Sequence, residues 1–210
     1  MGNDVLADRS NVRLTVAYDG GGFHGFAESD GVRTVMGDLR RAIETVTRGP
    51  VELTGAGRTD AGVHAWGQVV SGFLPADTDL RRLVRSVNAM CAPEVSIRDA
   101  AWTTETFSAR FSATARTYLY TIWNGSTPNP LLAARCWHVP HTLDIDAMNE
   151  GAAHLLGEHD FSSFCRRPRP VDDAAEVSLV RRLHLARWTR PAATSWGDGL
   201  VRIELPGSRF

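Results

Sequence analysis

Between Val12 and Trp102 the spacing of apolar residues switches repeatedly between a strand period and a helix period, and this alternation restricts the fold more than any other feature. Val12, Leu14, Val16 and Tyr18 alternate with Arg13, Thr15 and Ala17, as in a strand with one face buried. Thr34 then stands as an N-cap before Val35, Leu39, Ile43 and Val46, which share one side of a helix ending near Arg48-Gly49-Pro50. "VELTG" from Val51 and "GQVVSGFL" from Gly67 read as strands. Asp79 caps a second helix carrying Leu80, Leu83, Val84 and Val87, and "VSIRDAAW" from Val95 is a further strand. The order β-α-β-β-α-β is that of the split ferredoxin-like unit.

The second half starts in the same way. "RTYLYTIW" from Arg116 is a strand. Asp144 to Leu156 is a helix with Ile145, Met148, Ala152 and Leu155 on one face, and "SLVRRLHLARW" and "GLVRIEL" are strands. The expected class is α+β, with two halves at 1–105 and 106–210. The second half delivers only β-α-β-β before Phe210, so a repeat of the first is expected to lack its last helix and strand. Long connections fall at Asp19 to Arg33, Gly125 to Thr142 and Arg166 to Ala175; loops of such length in a compact domain are usually functional or mobile.

Net charge is -1, so total charge does not mark a nucleic-acid binder, but all 23 basic residues are arginine. They cluster at Arg40-Arg41, at Arg81, Arg82 and Arg85, at Arg166, Arg167 and Arg169, and from Arg181-Arg182 to Arg187 and Arg190. Two readings stand. Arginine's planar fork suits phosphate contact and stacking on bases, and a GC-rich coding bias gives the same composition. Cys91, Cys136 and Cys165 form no CxxC pair, which argues against a disulfide framework or structural zinc and leaves them as small core residues. No run of 18 apolar residues occurs and the N-terminus lacks a signal-peptide pattern, so a cytoplasmic location is expected.

The stretch "TGAGRTDAGVHAWGQV", Thr54 to Val69, places one carboxylate, Asp60, among glycines. Gly55 and Gly57 begin like a GxGxxG fingerprint, but Asp60 takes the third glycine position and a strand follows instead of a helix, which removes the phosphate-cradling reading. Two others remain open on local chemistry: a carboxylate bonding its own backbone in a turn, and a nucleophile or base held between strands with Arg58 nearby.

The block "GAGRTDAGVHAWGQV" resembles the signature loop of the TruA-type tRNA pseudouridine synthases. Further matches follow in order: "AYDGGGFHGF" at Ala17 to Phe26, "RTV" at Arg33 to Val35, "FSARFSATARTYLYTIW" at Phe107 to Trp123 and "LLGEHDFSSFC" at Leu155 to Cys165. The resemblance implies a pseudouridine synthase fold: two ferredoxin-like (RRM-like) halves joined in one mixed, mainly antiparallel sheet flanked by helices. It implies conversion of uridine to pseudouridine at positions 38 to 40 of the tRNA anticodon stem-loop, by a homodimer using no cofactor and no metal. Asp60 would be the catalytic nucleophile, Tyr118 would stack on the uracil, and Arg58 would enter the space that the flipped base vacates. Without the resemblance, Tyr118 reads as an ordinary strand aromatic facing the core.

Asp19, Phe23, Arg110, Arg116, Arg166, Arg167 and Arg169 are further phosphate-contact candidates, each arginine also being readable as solvated surface. His64 is read as a positioning residue, and His138 and His141 lack the partners of a zinc site. Family members resembling this chain continue past the position of Phe210 with an "LxHMVR"-like segment whose arginine pairs with the aspartate, so a C-terminally truncated form is expected. The alternative function is a non-catalytic RNA-binding protein of the same fold, against which the presence of Arg58, Asp60 and Tyr118 speaks.

Overall fold

A computed structural model describes residues 8–164, 178–191 and 199–208. The chain divides into two compact units, Met1–Ala113 and Thr114–Phe210. The first holds β1 (Arg9–Tyr18), α1 (Val35–Thr47), β2 (Leu53–Gly55), β3 (Ala65–Pro75), α2 (Leu80–Cys91) and β4 (Val95–Trp102). Its strands lie in the order β2-β3-β1-β4, and every pair is antiparallel.

The alternation in β1 sets this arrangement. Val12, Leu14 and Val16 are fully buried and pack with Leu39 and Ile43 of α1 and Leu83 and Val87 of α2. Each such side chain contributes about 1.5–3 kcal/mol on burial. Thr34 accepts from Gly37 N and Asp79 from Arg82 N at the helix starts, satisfying amides that the first helical turn leaves open. Arg48 closes α1 in the left-handed region at φ 56°. The other sheet face carries two buried polar side chains. Asn11 Nδ2 donates to Thr104 O at 2.9 Å and Phe107 O at 2.8 Å, and Ser71 Oγ accepts from Ala109 N at 3.0 Å. These bonds hold the segment after β4 along that face.

The second unit holds β5 (Ala115–Trp123), β6 (Trp137–His138), α3 (Ile145–Ala153), β7 (Gly157–Asp160), β8 (Val180–Leu183), β9 (Arg187–Thr189) and β10 (Leu200–Ser208). The sheet order is β6-β5-β10-β8-β7, with β9 also on β10, and only the short β5–β6 pair is parallel among the described strands. Where the resemblance implies one sheet, the described strands pair as two, each ladder within its own unit. Together with α1, α2 and α3 this is a mixed α+β architecture.

Several elements differ from the sequence reading, among them β6, which lies within the connection expected from Gly125 to Thr142. The helix expected to Leu156 ends at Ala153, and Gly157, at φ 93°, turns the chain into β7. That strand, "GEHD", is exposed along its whole length and has no alternation to reveal it. "SLVRRLHLARW" is two strands. His184, Leu185 and Ala186 stand opposite only Leu205 and Pro206 of β10; the extra residue makes a bulge, and Pro206 has no N–H to continue the ladder. Ala186 is thereby turned into a small core with Ala152 and Leu183. Cys91 is buried and Cys136 half-buried. Cys165, Arg166, Arg167 and Arg169, and the loop to Ala175, lie outside the described residues.

Candidate active site

β2 and β3 pair through Gly55 and Val70, and the Ala56 N to Val69 O bond at 2.8 Å closes the ladder. The chain between them forms a loop that is tied down residue by residue. Gln68 Nε2 donates to Gly57 O at 2.7 Å. Thr59 is held twice: its carbonyl accepts from Phe26 N at 3.0 Å and its hydroxyl meets the Tyr18 hydroxyl at 2.8 Å. Asp60 O accepts from Val63 N at 3.2 Å across a turn that needs Gly62 at φ 81°. His64 Nδ1 accepts from Gly20 N at 3.1 Å, and Gly20 is so close to Val63 that a Cβ there would sit 2.0 Å from Val63 O.

Two side chains in the loop stand apart. Arg58 and Asp60 are exposed, and neither makes a hydrogen bond or ion pair among the described residues. The carboxylate therefore makes none of the backbone bonds that a turn-forming role requires. Its neighbours are fixed while it is left available, an arrangement suited to a group that acts on something brought to it. Because β3 follows, the loop has no helix N-terminus to offer a phosphate, as the sequence predicts.

The first loop braces the second. It is anchored by Asp19 N to Glu94 O at 2.8 Å, and Arg33 bonds Glu94 at 2.8 Å while reaching Asp38 at 2.7 Å. Here the sequence reading needs correction. Asp19 is a phosphate-contact candidate by sequence, but its carboxylate accepts from Gly21 N, so it presents negative charge already engaged in the loop. Phe23 is buried beneath the Arg33 guanidinium, 4.3 Å from the ring centroid, and offers a phosphate nothing.

Arg110 belongs to the same unit, exposed beside Ala109 and 5.4 Å from the Phe111 ring centroid. Arg116 and Tyr118 lie in the second unit on β5, two residues apart and hence on one side of the strand. Tyr118 is 41% exposed opposite Leu205, and Arg116 is half-buried. His138 Nε2 lies 2.9 Å from Gly125 O.

The residues that hold the loop, Tyr18, Thr59, Gln68 and Phe26, were not singled out from sequence. Tyr18 carried the one available signal: it ends the buried side of an alternating strand, and a buried phenol needs a partner. Burial pushes its pKa up, against the opposing effect of side-chain hydrogen bonding with Thr59 and Gln68. The folded phenol thus keeps its proton more tightly than a free tyrosine, whose pKa is about 10. Stability should be unaffected below that value and fall as pH rises above it, because only the unfolded chain ionises readily. Urea titrations across this alkaline range should show the fall, and Tyr18→Phe should flatten it.

No protein-family model matches the chain. Curated relatives do. tRNA pseudouridine synthase A of Sinorhizobium fredii is 44% identical over 176 residues, covering 80% of this chain and 71% of its own. The protein of the same name from Bacillus licheniformis is 33% identical over 201 residues, covering 95% and 77%. The chain belongs to the tRNA pseudouridine synthase A family. The relative from Methylacidiphilum infernorum, 40% identical over 168 residues, is matched over 66% of its length, so the chain spans between about two thirds and three quarters of these family members. The α+β architecture fits that membership. No described helix is long and apolar enough to cross a membrane.

Proposed function

We propose that the chain isomerises uridine to pseudouridine in the anticodon stem-loop of tRNA, with Asp60 as the nucleophile. The observation that carries the reading is the exposed, unengaged carboxylate on a loop whose other groups are fixed. In the reaction the N1–C1′ bond breaks, the uracil turns, C5 bonds to C1′, and the proton on C5 is released while N1 gains one. An anionic oxygen at C6 or at C1′ serves this chemistry, and both routes use Asp60.

The target base is stacked, so it must first leave the helix at a cost on the order of a few kcal/mol. Stacking on the exposed ring of Tyr118 offsets about 1–3 kcal/mol of that. Arg58, without a partner among the described residues, is free to occupy the gap in the stem, and Arg110 and Arg116 supply positive charge to the backbone. The family names of the relatives support tRNA as substrate.

Tritium release from tRNA labelled at uracil C5 tests the reading. Release matched by pseudouridine in the product is expected; tight binding with no release would make the chain an RNA-binding protein instead. Tyr118→Ala should weaken RNA binding by about tenfold or more, the worth of one stacked base. Tyr118→Phe should bind normally and turn over slowly, and equal losses of binding in the two variants would remove the stacking role.

A further inference from the structure

Tyr18 lies 41 residues before Thr59 in sequence, yet their hydroxyls are 2.8 Å apart. The phenol is 5% exposed, its ring stacks on Phe26 with centroids 5.8 Å apart, and Phe26 N bonds the Thr59 carbonyl. Tyr18 and Phe26 therefore grip both the side chain and the backbone of the residue immediately before Asp60. Gln68 Nε2 grips the Gly57 carbonyl at 2.7 Å on the other side of Arg58.

We propose that Tyr18 is a positioning residue for the reaction: its hydroxyl, through Thr59, fixes the backbone from which the Asp60 carboxylate is presented. The role rests on Asp60 being the nucleophile, as proposed above. Tyr18 touches no substrate atom. It removes the local freedom of the Thr59–Asp60 peptide, so that the carboxylate does not have to be ordered during the reaction, and misplacement of a reacting group by about 1 Å costs on the order of a hundredfold in rate.

The test uses the full chain and two measurements. The first is hydrogen exchange at the amides of Phe26 and Val63, which donate to Thr59 O and Asp60 O; the second is kcat and KM on tRNA. Tyr18→Phe keeps the stacked ring and removes only the hydroxyl, so it should speed exchange at both amides and lower kcat by about tenfold, the worth of one well-placed hydrogen bond, without raising KM. Thr59→Val should do the same, the double variant should be no worse than either single, and Thr59→Ser should restore both readouts.

Asn88→Ala is the control for lost stability, since Asn88 clamps Ile97 by bonds of 3.0 and 2.7 Å away from the loop; it should leave exchange at Phe26 and Val63, and kcat, unchanged. Unaltered exchange in Tyr18→Phe, additive losses in the double variant, or equal effects of Asn88→Ala would overturn the proposal. A wild-type chain that forms no pseudouridine would overturn the proposed function instead, and exchange alone would then decide whether Tyr18 orders the loop.

Discussion

Asp60→Asn should abolish pseudouridine formation, by about 10⁴-fold or more, while affinity for an anticodon stem-loop RNA stays within about twofold. The magnitude is what removal of a nucleophile costs in enzymes where it forms the covalent bond. The selectivity follows from the site: the Asp60 carboxylate bonds nothing among the described residues, so replacing one oxygen by NH₂ leaves every anchor of the loop in place. Quench-flow measurement of tritium release, with binding followed separately by fluorescence, separates the two quantities. Turnover by Asp60→Asn within tenfold of wild type would show that some other group attacks.

Gly20→Ala should be the next most damaging change, with turnover reduced on the order of a hundredfold although Gly20 carries no chemistry. A Cβ at Gly20 would stand 2.0 Å from Val63 O and 2.6 Å from Val63 C. Both atoms are backbone, so no rotamer change relieves the clash. The loops must move apart by about an ångström, breaking the Gly20 N to His64 Nδ1 bond and shifting the turn that follows Asp60. Trypsin cleavage after Arg58 should accelerate in the variant. Gly49→Ala is the matched control, because a Cβ there meets nothing within 4 Å. Full turnover by Gly20→Ala would mean that the contact between the two loops does not govern the site.

What could be read from sequence divides by the range of the interaction. Thr34, Asp79 and Asp144 bond amides within three residues of themselves, so their local chemistry identifies three helix starts. The buried side of β1 is legible for the same reason: alternation is a property of neighbours. β8 and β9 were not separable, because the break depends on Pro206, which reaches that region only through pairing. Arg110 is carried by a segment held to Ser71, 38 residues earlier, and Tyr18 finds Thr59 41 residues away. Asp19 and Phe23 were misjudged on loop composition, which cannot tell a side chain facing outward from one used to brace the loop. Asp60 itself was recognisable from the block around it, but that its carboxylate is unengaged belongs to the three-dimensional structure.

The ladders also set an order of assembly during translation. Every bond described for the Asp60 loop comes from residues between Tyr18 and Val69. β5, which carries Tyr118, pairs along its full length with Leu200–Ser208, a partner translated some two hundred residues into the chain. On the ribosome the loop that carries Asp60 would have these partners at hand early, while the strand that carries Tyr118 would wait through the synthesis of most of the second unit for its neighbour.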